Sequence, residues 1–181
     1  LLIALSVMAH RGEHDGYAAT VAELATLHGH LLAAKQAFDP EAARIAARFK
    51  DEPYHIITAA GLSWAQAWYY GMCILEEMQW IRTRPVHAAD FFHGTLELVE
   101  KGVSAVILKG DDHYRPLTDR LERFARQYTD KVTVIDAADF AAPGRSSATR
   151  ALVSQVFLAT VLERLSAHIE VVRDHPLTTR R

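Results

Sequence analysis

The sequence predicts an α/β fold in three layers, with helices on both faces of a mostly parallel sheet. Short apolar segments rich in β-branched residues alternate with longer helical segments, which is typical of strand–helix–strand units. The clearest strand is SAVILKG at 104–110, whose apolar run is characteristic of a strand buried on both faces. The chain has 181 residues, half of them apolar, which is enough for one domain with a substantial core.

Residues 1–50 are predicted to form an arm of two or three helices. In YAATVAELATLHGHLLAAKQAF, apolar residues recur at spacings of three and four. Asp39 and Pro40 fit the N-cap and first turn of a further helix, which is expected to begin there. The opening LLIALSVMA lacks a basic leader and is too short to span a bilayer, so we interpret it as a core element of a longer protein.

The sheet itself is predicted within residues 51–153. HIITAAG (55–61) is expected to be a strand that ends at a glycine, followed by a long helix from about Ser63 to Arg82. The remaining elements are a possible strand PVHAAD (85–90), a short helix FFHGTLELVEKG, the strand SAVILKG, an amphipathic helix RPLTDRLERFARQYTD, and a strand KVTVIDAAD (131–139). These segments form the central part of the predicted domain.

Residues 154–181 are predicted to form a C-terminal helix and tail. The loop APGRSS (142–147) precedes a long helix over 154–172, and RDHPLTTRR is a polar tail interrupted by Pro176. The predicted division of the chain is therefore 1–50, 51–153 and 154–181.

Composition and charge argue against several classes of partner. The formal charge of −2 is spread without like-charge blocks, so neither nucleic acid nor an anionic membrane surface is expected. The single Cys73 excludes an intramolecular disulfide and fits a packed hydrophobe in a reducing cytoplasm. Ten histidines occur without HExxH or CxxC spacing, and His28 and His30 face different ways on a helix, so no metal is expected.

Two adjacent acids, Glu76 and Glu77, are the first candidates for chemistry. Between Pro53 and Ile81 they are the only Asp, Glu, Lys or Arg residues. On an α-helix both have apolar neighbours, so at least one carboxylate is expected to be desolvated and suited to carrying a proton. The alternative is that the helix emerges towards its C-terminal end, so that both acids reach solvent or pair with Arg82 and Arg84.

His93 is the second candidate, because DFFHG (90–94) follows a predicted strand end, where open α/β sheets bind ligands. The alternative is a packed imidazole beside Phe92.

Four further residues are candidates for substrate binding. Ser63 lies at a predicted helix N-terminus, which favours an anion, although the turn holds a single glycine. His87, His175 and Arg180 combine polar groups with positions near a strand end or in the tail.

The run from HIITAAG through LEEMQW to HAADFFHGTLELVEKG resembles the second lobe of the sugar isomerase (SIS) domain proteins, as in the isomerase part of glucosamine-6-phosphate synthase. In that family a helix glutamate is followed sixteen residues later by the histidine of an HG motif. Glu77 and His93 have this separation, with Asp90 and Gly94 as flanks. The resemblance covers about residues 50–140 and implies an SIS lobe in which 1–50 connects two lobes. It selects Glu77 as the proton carrier and leaves Glu76 as a structural acid paired with a nearby arginine.

Within this family, EMQWIRTRPVHAADFFHG and ERLSAHIEVVRDHPLTTRR look most like the fructosamine 6-phosphate deglycases, which include the fructoselysine and fructose-aspartate 6-phosphate enzymes. The resemblance implies that Glu77 moves a proton between the two carbons at the head of the sugar. It implies that His93 assists ring opening, in synthase-type members from a neighbouring subunit. It therefore implies a sugar phosphate substrate, a homo-oligomer with a shared active site, a cytoplasmic location and no cofactor.

Two departures from the synthase bear on activity. The synthase forms an imine through a tail lysine, and HPLTTRR has none, as expected for a deglycase whose Amadori substrate already carries an amine. The family's Ser/Thr-rich phosphate loop lies in the first lobe and is absent from this sequence, so the chain alone is expected to be inactive.

Two other functions stay open at this point. An aldose-ketose or aminosugar phosphate isomerase would use the same proton shuttle, and a non-catalytic sugar-phosphate-sensing module would have no need of the Glu and His pair.

Overall fold

A computed structural model describes residues 1–140 and 144–180. The described residues form one parallel sheet with strand order β2-β1-β3-β4. The strands are β1 (Tyr54–Ala59), β2 (Arg82–His87), β3 (Ser104–Lys109) and β4 (Val132–Asp136). The predicted α/β fold with a parallel sheet is confirmed.

Helices surround this sheet, and short 3-10 turns lie in three of the connections that follow its strands. They are α1 (Leu2–His10), α2 (Tyr17–Leu24), α3 (Leu27–Phe49), α4 (Trp64–Tyr69), α5 (Arg115–Tyr128) and α6 (Ser147–Val172). A π-helix, Tyr70–Glu76, continues α4 without a break. The 3-10 turns are Gly61–Ser63, Phe91–His93, Thr95–Leu98 and Ala137–Phe140.

Alternate strand residues enter two separate cores, one on each face of the sheet. Ile57, Val106 and Leu108 pack with α3, α4 and α6 in the first core. Ile56 and Ile107 pack in the second core with α5 and the turns after β2. Because side chains alternate along a strand, these cores lie on opposite faces, which confirms the three-layer arrangement.

The arm is helical as predicted, but no helix begins at Asp39 and Pro40. α3 continues through both residues to Phe49. The Asp39 carboxylate accepts hydrogen bonds from His168 Nε2 (2.8 Å) and from Arg164 Nε, both on α6, and these bonds lower its pKa. Tertiary packing against α6 therefore outweighs the loss of one helical hydrogen bond at the proline.

The helix predicted over 63–82 is shorter and contains the π-helix. Gly71 allows this segment to lie close to the sheet, since a Cβ there would meet Pro85, Ile57 and Thr83 at 2.9, 3.0 and 3.1 Å. Trp80, with φ of 56°, turns the chain out of the helix. The π-helix and this turn were not visible in the hydrophobic periodicity.

β2 begins three residues before its predicted start at Pro85. The prediction missed residues 82–84 because Arg-Thr-Arg lacks the apolar character of a buried strand. As the edge strand of the described sheet, β2 tolerates these polar side chains and Pro85.

Two other boundaries also differ from prediction. The segment predicted as a helix after β2 forms two 3-10 turns on either side of Gly94, whose φ is 145°. α6 begins at Ser147 instead of 154, where Ser146 Oγ accepts from Thr149 N (3.2 Å) as an N-cap. Residues 141–143, which include the start of the predicted loop, lie outside the described residues.

α6 is the one described helix that is long and apolar enough to cross a membrane. Half of its most apolar stretch is buried in the fold, as in the core helix of a soluble protein, so its composition is weak support for a membrane span. The division into 1–50, 51–153 and 154–181 stays a prediction.

Candidate active site

An open cleft of about 1090 Å³ lies at the amino ends of β1 and β2. The end of the π-helix forms one wall, and the starts of the two strands form another. Arg180, in the C-terminal tail that follows α6, completes the lining. Its lining residues are Pro53, Tyr54, Glu76, Glu77, Trp80, Ile81, Arg82, Thr83 and Arg180. Both adjacent glutamates therefore line the same cleft.

Glu76 is a structural acid, as predicted, although its partner is not an arginine. The half-buried carboxylate accepts hydrogen bonds from Thr83 N (3.0 Å) and Thr83 Oγ1 (2.7 Å). These two bonds tie the end of the π-helix to the start of β2.

Glu77 is exposed, so it is not the desolvated acid of the doublet, and Glu76 is the half-buried one. Its side chain is 54% exposed, and its backbone N–H bonds to Met72 O (3.0 Å), five residues earlier. The α-helical spacing used to place its neighbours fails here, because a π-turn has more residues than an α-turn. Glu77 therefore points into the cleft instead of among the apolar residues of the first core.

Arg180 is the partner that the structure brings to Glu77. Its Nη2 atom lies 3.8 Å from Glu77 Oε1, while Nη1 donates to the carbonyls of Leu177 (2.9 Å) and Thr179 (3.0 Å). Among the described residues, neither acid forms an ion pair with Arg82 or Arg84. Arg84 Nε instead donates to Thr95 Oγ1 (3.1 Å).

His175 helps to fix this tail, and it does not line the cleft. Gln79 Nε2 donates to the His175 carbonyl (2.7 Å), and the imidazole packs edge-on against Trp80 with ring centroids 4.5 Å apart. Leu177 N donates to Glu170 Oε1 (3.0 Å).

Sequence reasoning missed Gln79, Thr83 and Tyr54. Gln79 is fully buried, and nothing in the apolar periodicity distinguishes it from a solvent-facing residue. Burial raises the pKa of Tyr54, an effect that Arg84 partly opposes, so its hydroxyl remains a neutral hydrogen-bonding group at the cleft.

His93 lies away from Glu77 within one chain. It is exposed on the turn Phe91–His93, where Phe91 packs into the second core. The helix before Glu77 packs into the first core, so the two residues are carried by elements on opposite faces of the sheet. The structure does not bring the predicted pair together in a single chain.

Ser63 and His87 lie at the carboxyl ends of β1 and β2, at the other end of the strands from Glu77. Ser63 is fully buried, and its hydroxyl has no hydrogen-bond partner among the described residues. His87 is half-buried against Trp64, with ring centroids 5.5 Å apart, and its Nδ1 accepts from Ala89 N (3.1 Å). Neither residue lines the cleft.

Within residues 1–140 and 144–180, no group of three or more His, Cys, Asp or Glu side chains could hold a metal ion. The lining of the cleft itself offers one exposed carboxylate, two guanidinium groups and a neutral phenol, which suit acid–base chemistry on an anionic substrate.

Comparison with known proteins identifies the relatives of this chain. No family model matches the sequence. The chain is 36% identical over 123 residues to fructosamine deglycase FrlB of Bacillus subtilis (strain 168). It is 32% identical over 111 residues to fructoselysine 6-phosphate deglycase of Escherichia coli (strain K12). The chain is a homologue of the fructosamine deglycases. The match to the Bacillus subtilis protein covers 68% of this chain and 38% of that relative. The match to the Escherichia coli protein covers 61% of this chain and 31% of that relative, so the chain spans about a third of each.

Solved structures agree with this relationship. A candidate phosphosugar isomerase from Salmonella typhimurium LT2 superimposes with a TM-score of 0.90 at 30% identity, over 98% of the deglycase homologue and 55% of that chain. A candidate phosphosugar isomerase from Bacillus subtilis superimposes with a TM-score of 0.83 at 32% identity, over 87% of this chain and 48% of that chain.

The C-terminal domain of glucosamine-fructose-6-phosphate aminotransferase from Francisella tularensis shares the fold. Its TM-score is 0.76 at 16% identity, over 97% of this chain and 51% of that one. The predicted SIS fold and the predicted relationship to the deglycases are confirmed.

Proposed function

We propose that the complete protein hydrolyses fructosamine 6-phosphates to glucose 6-phosphate and a free amino acid, with Glu77 as the proton carrier. The observation that carries this proposal is the exposed Glu77 carboxylate in a large cleft of a chain 36% identical to a fructosamine deglycase. A cleft of about 1090 Å³ has room for a sugar phosphate joined to an amino acid.

The reaction requires proton transfers and one water molecule. Glu77 removes a proton from C1 of the ketoamine, and the electron pair of the broken C–H bond forms the C1–C2 double bond. The π pair of the C2 carbonyl moves to O2, which takes a proton from solvent, and the product is an enaminol. Glu77 then returns its proton to C2, the nitrogen lone pair forms the C1–N double bond, and the nitrogen releases its proton to solvent, which gives an aldimine with a hydroxyl at C2. Water adds to C1, the C1–N bond breaks, and the amine leaves as the aldehyde of glucose 6-phosphate forms. No cofactor is part of this proposal.

His93 is proposed to act from a second copy of the chain. Elements on opposite faces of the sheet carry Glu77 and His93, so one chain does not present both to one substrate. An exposed His93 is accessible to a neighbouring subunit, where it would assist opening of the sugar ring. Ser63, His87 and His175 remain proposals for substrate binding, although none of the three lines the Glu77 cleft. The relationship to metabolic enzymes also supports a cytoplasmic location.

Glu77→Gln tests the proposal because it removes the base while keeping the size of the side chain. We expect turnover of fructosamine 6-phosphates by the complete protein to fall about 100-fold or more, with an unchanged thermal unfolding temperature. Glu163→Gln is the matched control: Glu163 is an exposed helical glutamate paired with Lys35 (3.1 Å), and its loss should leave turnover intact.

Product analysis separates the alternatives. Free amino acid together with glucose 6-phosphate supports the deglycase, whereas a rearranged sugar phosphate without amine release indicates the isomerase. Near-normal turnover in Glu77→Gln would refute the role of Glu77. Tight sugar-phosphate binding without any turnover by the unmodified protein would indicate a sensing module.

A further inference from the structure

Arg180 is held in a defined position over the proton carrier. Its Nη1 atom donates to the carbonyls of Leu177 and Thr179, so the guanidinium is anchored by the tail itself. Nη2 then faces Glu77 Oε1 at 3.8 Å, which is longer than a hydrogen bond. The contact therefore leaves the Glu77 carboxylate unblocked by a hydrogen bond from Arg180.

The tail that carries Arg180 is itself fixed to the end of the π-helix. The buried Gln79 side chain donates to His175 O (2.7 Å), and Arg173 Nη2 donates to Gln79 O (3.3 Å). Leu177 N is held by Glu170 Oε1 (3.0 Å). Gln79, two positions after Glu77, makes two of these bonds. The position of Arg180 is therefore coupled to the position of Glu77.

A guanidinium at this place suits a carboxylate of the substrate. Its planar fork donates paired hydrogen bonds to carboxylates and phosphates, and this pairing is stronger than bonds between neutral groups. Glu77 acts at C1, the carbon that bears the amine, so Arg180 lies beside the amino acid part of the substrate. The phosphate is at C6, the opposite end of the sugar, which makes it the less suitable partner.

The linkage of the amino acid decides whether its carboxylate can reach Arg180. When the sugar is attached to the α-amine, the carboxylate is on the carbon next to that nitrogen, close to C1. When it is attached to the ε-amine of lysine, the α-carboxylate is at the far end of a methylene chain. The close approach of Arg180 to Glu77 therefore favours the α-linked compounds.

We propose that Arg180 is a specificity-determining residue, which binds the α-carboxylate of the departing amino acid and makes the enzyme prefer α-linked fructosamine 6-phosphates. This inference rests on the proposed function and names the part of the substrate that the tail recognises.

The test compares two substrates that differ only in the carboxylate, namely fructosevaline 6-phosphate and fructosevalinamide 6-phosphate. For the unmodified complete protein we expect kcat/KM to be about 10- to 100-fold higher for the carboxylate compound. Arg180→Gln should remove this difference by lowering the rate on fructosevaline 6-phosphate while sparing the amide. The ε-linked fructoselysine 6-phosphate should respond little to the substitution.

Arg48→Gln is a closely matched control. Arg48 Nη2 lies 3.8 Å from Glu41 Oε1 and its side chain is 54% exposed, compared with 3.8 Å and 50% for Arg180. This variant should keep the full preference for the carboxylate. If neither substrate is turned over, the same pair is compared by calorimetric binding, with the same expected ratio.

Three results would overturn the inference. These are no preference in the unmodified protein, a retained preference in Arg180→Gln, or an equal loss on both substrates, as expected if Arg180 binds the phosphate or only supports Glu77. Failure of the proposed function is seen separately, as normal turnover in Glu77→Gln.

Discussion

Glu76 and Glu77 are adjacent in sequence and have different environments. The Glu76 carboxylate accepts two hydrogen bonds from Thr83, whereas the Glu77 carboxylate is exposed in the cleft beside Arg180. Since the π-turn changes the direction of successive side chains, one acid holds β2 in place and the other faces the space where a substrate would bind. Hydrophobic periodicity did not distinguish them, and the sixteen-residue spacing to His93 selected Glu77.

His55 is a single residue with a predictable effect on stability. It is fully buried, with Nδ1 within 2.8 Å of Ser104 Oγ, and its ring lies 4.3 Å from that of Phe49. Burial lowers its pKa to about 4, with further contributions from the positive charges of Arg173 and Lys131. The imidazole is therefore neutral in the folded protein at neutral pH.

Acidification is expected to destabilise the fold through His55. Because its folded-state pKa lies below the ordinary value of 6.5, the unfolded chain binds more protons between pH 6.5 and 4. The stabilising contribution is complete above pH 6.5 and is lost as the pH falls towards 4, by about 3 kcal/mol in total. Urea unfolding across this range measures the loss.

His55→Phe should flatten this pH dependence, since phenylalanine has no proton to gain. The new ring can pack on Phe49, while the Ser104 hydroxyl loses its partner at a cost of about 1 kcal/mol at neutral pH. An unchanged slope between pH 6.5 and 4 would show that another group is responsible.

Among the elements, the C-terminal tail depends on the end of the π-helix. Gln79 is the central contact, because its fully buried side chain donates to the His175 carbonyl and its own carbonyl accepts from Arg173. Tail and π-helix are thus joined as one unit, although they are far apart in the sequence.

Gln79→Met tests this connection, because methionine has a similar volume and no hydrogen-bonding amide. The His175 carbonyl would lose its donor, and we expect a destabilisation of about 1–3 kcal/mol. Hydrogen exchange should accelerate at the Leu177 amide, which is held by Glu170 in the intact tail. Gln36→Met, at an exposed position of α3, is the control. Equal exchange at Leu177 in both variants would contradict the coupling.

For the whole molecule, the separation of Glu77 and His93 within one chain makes a shared active site the central prediction. If each site takes Glu77 from one subunit and His93 from another, Glu77→Gln and His93→Asn should each be inactive alone. A mixed dimer of the two variants would contain one site with both native residues.

Co-expression of the two variants in the complete protein measures this complementation. Random pairing into dimers should restore about one quarter of the unmodified activity, because half the dimers are mixed and each has one intact site out of two. A dimer carrying both substitutions on one chain and neither on the other provides the control, since it also loses Glu77 from one site and His93 from the other and should be inactive. Activity in that control, without recovery in the first mixture, would place both residues in the same subunit.

Local sequence patterns determined much of the fold of this protein. The apolar runs of β1, β3 and β4 and the amphipathic period of α5 placed those elements, because burial on two faces or on one helical face requires a regular pattern. The edge strand β2 and the π-helix were displaced or missed, because an exposed strand needs no apolar run and a π-turn breaks the α-helical period.

The candidate site divides in the same way. The resemblance to the SIS family, through the spacing of one short segment, selected Glu77 and His93 as the candidate pair. Only the tertiary structure showed that Arg180 lies beside Glu77. It also showed that His93 is carried by an element on the opposite face of the sheet from the helix before Glu77. Contacts between distant segments depend on how strands, helices and tail pack together, and packing is a property of the folded chain that no local pattern contains.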